Sequence, residues 1–435
     1  MTTALWAPKA WLQGRWRESV LLVVAADGTW QRIAPGTPRT PEMQALPGPV
    51  LPGLVNAHSH AFQRAFVGLA ERRDGEHDDF WSWRDRMYGV ALTITPERLH
   101  QAATQLYAEL LRGGYTQVCE FHYLHHAPDG SRYVDPLAMS RALVQAACDT
   151  GIGLTLLPVL YERAGFGAAG LRDDQRRFAT TADDVLALRD GVRALRLPHV
   201  SAGVAIHSLR AAKASSMLGL VEQLQGDAAP IHIHIAEQTA EVDDCVAATG
   251  LRPIDWLRRH VALDARWQLV HATHATPEEI EAVAASRAGV VLCPSTEANL
   301  GDGIPDLQRW LARGTALAIG SDSHVTRDWR EELRLLEYSQ RLTLRQRNVA
   351  AAPGSGEPST AARLFERMLA GGAAAAGLAA AGLCVGARAD LLVVDTADPA
   401  LTDRDDDHLL DTLVFSSPTR PFAQVMVGGR WVVGG

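Results

Sequence analysis

LPGLVNAHSHAF, residues 51–62, is a short apolar run that ends in two histidines one residue apart, His58 and His60. In an extended strand successive side chains alternate faces, so residues i and i+2 point the same way and two imidazoles can reach one metal ion from one side. Pro52 and Gly53 mark the start of such a strand, and Asn56, His58 and His60 share the face opposite Val55 and Ala57. Sixteen histidines in 435 residues will produce such spacings by chance. The pair gains weight only from what the rest of the chain sets beside it.

Outward from this strand the chain alternates apolar strand-like runs with amphipathic helical runs. LVNAHSH is followed by a long polar loop and a helix over residues 96–112. Then come YTQVCEFHY and the helix MSRALVQAACDT, IGLTLLPVLY and DDVLALRDGVRALR, SAGVAIHS and a helix around MLGLVEQLQ, PIHIHIAE and a helical stretch to about residue 259. WQLVHATH with PEEIEAVAAS, GVVLCPST with PDLQRWLAR, and TALAIGSDSH with REELRLLEYSQ complete the series. Eight alternations over about 290 residues are the count and length of a closed parallel (β/α)8 TIM-like barrel. Residues 4–50 are different in texture, with short strand runs and a turn at Asp27 and Gly28, and the end of the chain repeats that texture in ADLLVVDT and FAQVMVGGRWVVGG. The expectation is therefore an α/β chain: a barrel over residues 53–383, and a small β-sandwich domain built from both termini, residues 1–52 and 384–435.

Composition narrows the function. Hydrophobic residues make up 47% and charged residues 21%, with a net charge of −8 and no basic run, which excludes nucleic acid and anionic membrane as expected partners. The five cysteines, Cys119, Cys148, Cys245, Cys293 and Cys384, are dispersed and show no Cys-x-x-Cys spacing, so they read as reduced core residues and exclude a zinc-thiolate site. The Ala/Gly-rich run at residues 369–383 is too short to span a bilayer, and MTTALWAPKAWLQ lacks the pattern of a secretory leader. The expected location is the cytoplasm.

In a barrel of this kind the site lies where strands end at their C-termini. Strand one ends in His58 and His60, strand four in His207 with Arg210 beyond it, strand five in His234 with Glu237 three residues on, strand six in His271, and strand eight in Asp322. Any one histidine at a strand end is an ordinary structural residue, but so many at one barrel mouth are not explained that way. His58, His60, His234 and Asp322 supply three imidazoles and a carboxylate, a set suited to one Zn2+ with a position left for water. His232, on the same face as His234 but deeper, competes for the ligand role. His122, His125, His126, His274 and His324 lie just past strand ends and read as loop or supporting residues. A second metal would need a bridging group such as a carboxylated lysine ending strand four, and the only lysines, Lys9 and Lys213, are not placed there.

VNAHSH, HIAE, VHATH and GSDSH resemble, over essentially the whole chain, the deaminase branch of the amidohydrolase superfamily. Within that branch the FWSWRDRMY segment at residues 80–88, with Gln63, Tyr123 and the segment from His207 to Arg210, resembles the formimidoylglutamate deiminase group. The resemblance implies a homodimer and the hydrolysis of N-formimino-L-glutamate, a small molecule, to N-formyl-L-glutamate and ammonia in histidine degradation. On that reading Asp322 takes the water proton, His271 orients the water and stabilises the charged intermediate, and Glu237 carries a proton to the leaving nitrogen. Arg84 and Arg210 each suit a carboxylate, while Gln63, Tyr123 and His207 resemble the group's other substrate contacts. Trp81 and Trp83 read as packing for the loop that carries Arg84. Two competing readings remain: a deaminase of a cyclic base such as guanine or cytosine, and a barrel kept only as a binding scaffold. The first sits poorly with two arginines suited to a dianion, and the second predicts lost ligands where all are present.

Overall fold

A computed structural model describes residues 2–73, 78–402 and 405–434. Eight parallel strands form the barrel: β1 (Leu54–Ser59), β2 (Tyr115–His122), β3 (Gly153–Leu160), β4 (Val204–Ile206), β5 (Ile231–Ile235), β6 (Trp267–His271), β7 (Gly289–Leu292) and β8 (Ala316–Ile319). Each pairs in parallel with the next, β3 pairing in addition with the short strand Val200–Ala202. Their residues are buried on both faces, as strands sandwiched between a barrel interior and an outer helix layer must be. The ring closes just past β8, where Asp322 donates its N–H to the His58 carbonyl at 3.0 Å and Ser59 bridges to Asp322.

The helices between strands carry the start signals their sequences promise. Thr95 caps Pro96–Arg112 and Thr276 caps Pro277–Ser286, each followed by proline at the first turn. One sequence-based expectation is corrected here. The segment after β1 is not a polar loop throughout, because Phe80–Ala91 is a helix capped by Asp79, whose side chain accepts the Trp81 and Ser82 N–H groups while Ser82 Oγ accepts the Asp79 N–H. Residues 74–77 of that loop lie outside the described set. The first part of the Ala/Gly-rich run, to Ala375, belongs to the helix Thr360–Ala375, which lies so close to the strands that a Cβ on Gly371 would clash with the Leu317 carbonyl oxygen. No helix among the described residues is long and apolar enough to cross a membrane.

The termini meet in a second, mainly antiparallel sheet. Its order runs Arg430–Val433, Phe422–Val427, Leu391–Val394, Val50–Leu51, Thr3–Leu12, Arg15–Val24, Trp30–Ala34, with Gln44–Ala45 beside Thr3–Leu12. Leu5, Val20, Leu22, Trp30, Leu391 and Met426 form a core of its own. The chain leaves this sheet at Leu51 and enters the barrel at Leu54, so the first barrel strand is anchored at its base by the small domain.

Candidate active site

The ends of β1, β5, β6 and β8 gather donor atoms around His58 Nε2 in two overlapping sets of three, His58 with His60 and Asp322, and His58 with His234 and His271. His58 Nε2 lies 3.1 Å from His60 Nε2, 2.9 Å from His234 Nε2 and 3.4 Å from Asp322 Oδ1, while His60 Nε2 lies 3.3 Å from the same oxygen. Ligands about 2.0–2.1 Å from a tetrahedral ion stand about 3.3 Å from each other, so His58, His60 and Asp322 have the spacing of a divalent-cation site, with His234 adjoining it through His58. The donor chemistry fits too. The His60 Nδ1–H donates to the Phe121 carbonyl at 2.9 Å, which turns the Nε2 lone pair towards the cluster. Burial depresses the pKa of His58 to about 3 and lowers those of His60 and His234, keeping all three rings neutral. Burial opposes charge on Asp322, yet the hydrogen bond from His58 and the neighbouring imidazoles outweigh it and hold the carboxyl below its ordinary range.

Backbone geometry aims these groups. Ala236, just past β5, has φ of +52°, His271 at the end of β6 has +71°, and Asp322 has +45°. Non-glycine residues in this left-handed region cost of order 1–3 kcal/mol each and cluster where a site demands a particular direction. Here they turn three strand ends inward over the barrel mouth.

His271 stands beside the donor set, its Nε2 3.7 Å from Asp322 Oδ2 and 3.6 Å from Glu237 Oε1. Burial disfavours a charged ring, but Glu237, Glu297 and Asp322 together push its pKa up to about 10, which makes it a donor to substrate or water. Burial pushes Glu237 up to about 7, where a carboxyl can both take and give a proton near neutral pH.

A cavity of about 50 Å3 adjoins this cluster, and its walls include His60, Gln63, Arg84, Tyr123, His207, Arg210, His234, Glu237, His271 and Asp322. His58 is fully buried among the other donor groups. Gln63 donates to the Tyr123 hydroxyl at 3.1 Å, and His207 packs 4.3 Å from the Tyr161 ring. His232 is taken up elsewhere: its Nε2 bonds the Ala375 carbonyl at 2.8 Å, away from the donor set. Of the histidines past strand ends, His126 bonds Ala179, His274 bonds Asp302 and His324 bonds Ser321, while His122 and His125 pack on each other.

Several contributors lay beyond the sequence reading. Glu297, on the helix Pro294–Leu300 after β7, accepts from His271 Nδ1 at 3.3 Å. Glu120 on β2 accepts from Ser59 Oγ at 2.8 Å, from the Ala61 N–H and from the Tyr107 hydroxyl, holding the residues on either side of His60. Phe80, Met87 and Tyr88, all on the unforeseen helix, also wall the cavity.

A parallel barrel with neutral imidazoles and a carboxylate converging at its C-terminal mouth defines the metal-dependent hydrolases of C–N bonds. The chain belongs to the Amidohydrolase family, whose profile matches residues 50–432. It is 47% identical over 432 residues to a curated formimidoylglutamate deiminase of Pseudomonas aeruginosa, covering 99% of this chain and 94% of that one. An amidohydrolase from Brucella melitensis superposes with a TM-score of 0.93 at 41% identity, over 100% of this chain and 95% of the other. A guanine deaminase from C. acetobutylicum shares the fold at 16% identity, with a TM-score of 0.81 over 99% of this chain and 100% of that one.

Proposed function

We propose that the chain hydrolyses N-formimino-L-glutamate to N-formyl-L-glutamate and ammonia, a step of histidine degradation, as a cytoplasmic homodimer with one Zn2+ per chain held by His58, His60, His234 and Asp322. The observation that carries the reading is the far wall of the cavity. Among the described residues, neither Arg84 nor Arg210 has a carboxylate partner apart from Asp85, 3.5 Å from Arg84 and itself bonded at 2.8 Å to Arg172. Arg210 is 7% exposed and its Nη1 has no hydrogen-bond partner. Two guanidiniums kept free opposite the donor set suit a substrate with two carboxylates and oppose a neutral ring. The 47% identity to the deiminase of Pseudomonas aeruginosa supports the same choice.

The metal, when bound, supplies the Lewis acidity that makes water a competent nucleophile near neutral pH. The chain's own groups do the rest. Arg84 and Arg210 bind the two carboxylates and Gln63, Tyr123 and His207 fix the chain between them, which turns the formimino carbon towards the strand ends. Asp322 takes a proton as water oxygen bonds to that carbon. His271 donates to the developing negative charge. Glu237 delivers that first water proton to the terminal nitrogen, and as the carbon–nitrogen bond breaks the hydroxyl proton passes through the same carboxylates to that nitrogen, so that ammonia leaves as the N-formyl carbonyl forms.

Ammonia release from N-formimino-L-glutamate, measured beside guanine and cytosine with and without added zinc, tests the reading. Zinc-dependent turnover of the formimino substrate alone is the expected result, and turnover confined to a cyclic base would reject it.

A further inference from the structure

The aromatic helix that follows β1 holds a feature the reaction above does not use. Trp81, Arg84 and Tyr88 fall at i, i+3 and i+7 of Phe80–Ala91 and so share one helix face. The Arg84 guanidinium carbon lies 4.5 Å from the Trp81 ring centre and 5.4 Å from that of Tyr88. Arg210, arriving from the loop after β4, sets its guanidinium carbon 5.2 Å from the same Trp81 ring and 5.7 Å from Phe80. One indole therefore holds both cations of the proposed carboxylate subsite. Trp81 is not part of the cavity wall, so it reaches substrate only through the two arginines.

The two like charges repel, Arg84 partly buried and Arg210 buried; Asp85, 3.5 Å from Arg84, is shared with Arg172, and Glu237 and Glu241 act on Arg210 only through space, while Arg84 Nε and Arg210 Nη1 are buried without a hydrogen-bond partner. Trp81 is the ring the two cations share, and its negative face attracts each without using up hydrogen-bond donors, which leaves those donors for carboxylates. We propose that Trp81 is a positioning residue that fixes the separation of Arg84 and Arg210 and thereby selects the chain length of the dicarboxylate substrate. This rests on the deiminase reading and deepens it. Glutamate places its carboxylates one methylene farther apart than aspartate, and guanidiniums pinned to one ring cannot follow the shorter pair.

The test compares N-formimino-L-glutamate with N-formimino-L-aspartate in the zinc-loaded parent enzyme and in Trp81→Leu, Trp81→Phe and Phe66→Leu. Phe66 packs 5.6 Å from the Trp83 ring outside the cavity wall and serves as the packing control. Trp81→Leu should lower kcat/KM for the glutamate substrate about tenfold, chiefly through KM, the scale of losing a desolvated cation–π contact. It should lower the glutamate-to-aspartate ratio of kcat/KM at least about fivefold. Trp81→Phe, which keeps an aromatic face, should fall between, and it carries the test if Trp81→Leu folds poorly. Phe66→Leu should change both substrates in proportion. An unchanged ratio in both Trp81 variants, whether or not rates fall, overturns the proposal and leaves Trp81 as packing. Failure of the deiminase reading shows separately, as a parent enzyme that hydrolyses neither formimino acid.

Discussion

Glu297 Oε1 lies 3.3 Å from Nδ1 of His271 and accepts the Cys293 N–H with the same oxygen at 2.8 Å. A ring held at Nδ1 by a carboxylate has its Nε2 directed at the reaction space, and such outer partners are worth 10–100-fold in activity or metal affinity. Glu297→Gln should therefore lower kcat by about 10–100-fold while zinc content, measured by metal analysis, stays at the parent level. Loss of zinc in this variant would make His271 a ligand.

One ion per chain is expected from a donor set of three imidazoles and one carboxylate with neither lysine near it. Metal analysis of fully active protein checks the count, and two tightly bound ions per chain would defeat it. Chelation should also lower the melting temperature by about 5 °C or more, since a ligand bound only to the native state stabilises it by mass action.

Glu237→Gln keeps the shape of the side chain and removes its proton. A positioned acid-base group contributes about 10²–10⁴-fold, so kcat should fall at least about 100-fold with metal retained. Near-normal turnover at normal zinc content would reject the shuttle.

Arg84→Met and Arg210→Met each leave one substrate carboxylate without its cation. Truncating one member of a buried, hydrogen-bonded charge pair costs about 2–5 kcal/mol, so each should lower kcat/KM at least about 30-fold. Steady-state kinetics with an analogue lacking one carboxylate then assigns each arginine, because the variant missing the matching partner shows little further loss.

Gly320 has no room for a methyl group: a Cβ there would lie 2.6 Å from the His58 Cβ and 2.8 Å from the His58 N and O. Gly320→Ala should cost about 1–3 kcal/mol in denaturant unfolding and weaken metal binding together, because the clash falls on a ligand's own backbone. Normal stability with normal zinc affinity would mean that β1 can shift freely.

The barrel was legible because both of its signals are local. Strands such as PIHIHIAE and WQLVHATH are apolar runs of strand length, and their polar last residues sit where a parallel barrel collects chemistry. His58, His60, His207, His234, Glu237, His271 and Asp322 could be named on that rule alone. What escaped depends on contacts distant in sequence. The helix Phe80–Ala91 is mostly aromatic and polar with little one-sided apolar pattern, although the capping pair Asp79 and Ser82 was a readable start. Glu297 is one of many glutamates until the fold sets it behind His271, and the hint was that strand seven alone among the last four ended without an assigned residue. The choice between His234 and His232 bears on the Ala375 carbonyl, which comes from a helix after the last strand and bonds His232 Nε2 at 2.8 Å. The left-handed backbone at His271 and Asp322 is imposed by the assembled mouth, since neither residue type demands it.

Asp322 and His58 are hydrogen-bonded across the line where the first and last strands meet. Both are also proposed metal ligands, so the donor set is complete only in a chain that has already wrapped fully around. A folding intermediate with its last strand undocked offers imidazoles but no carboxylate. The ion would then act as a late clasp, admitted by the finished ring and locking it, and metal loss and opening of the seam would be one event.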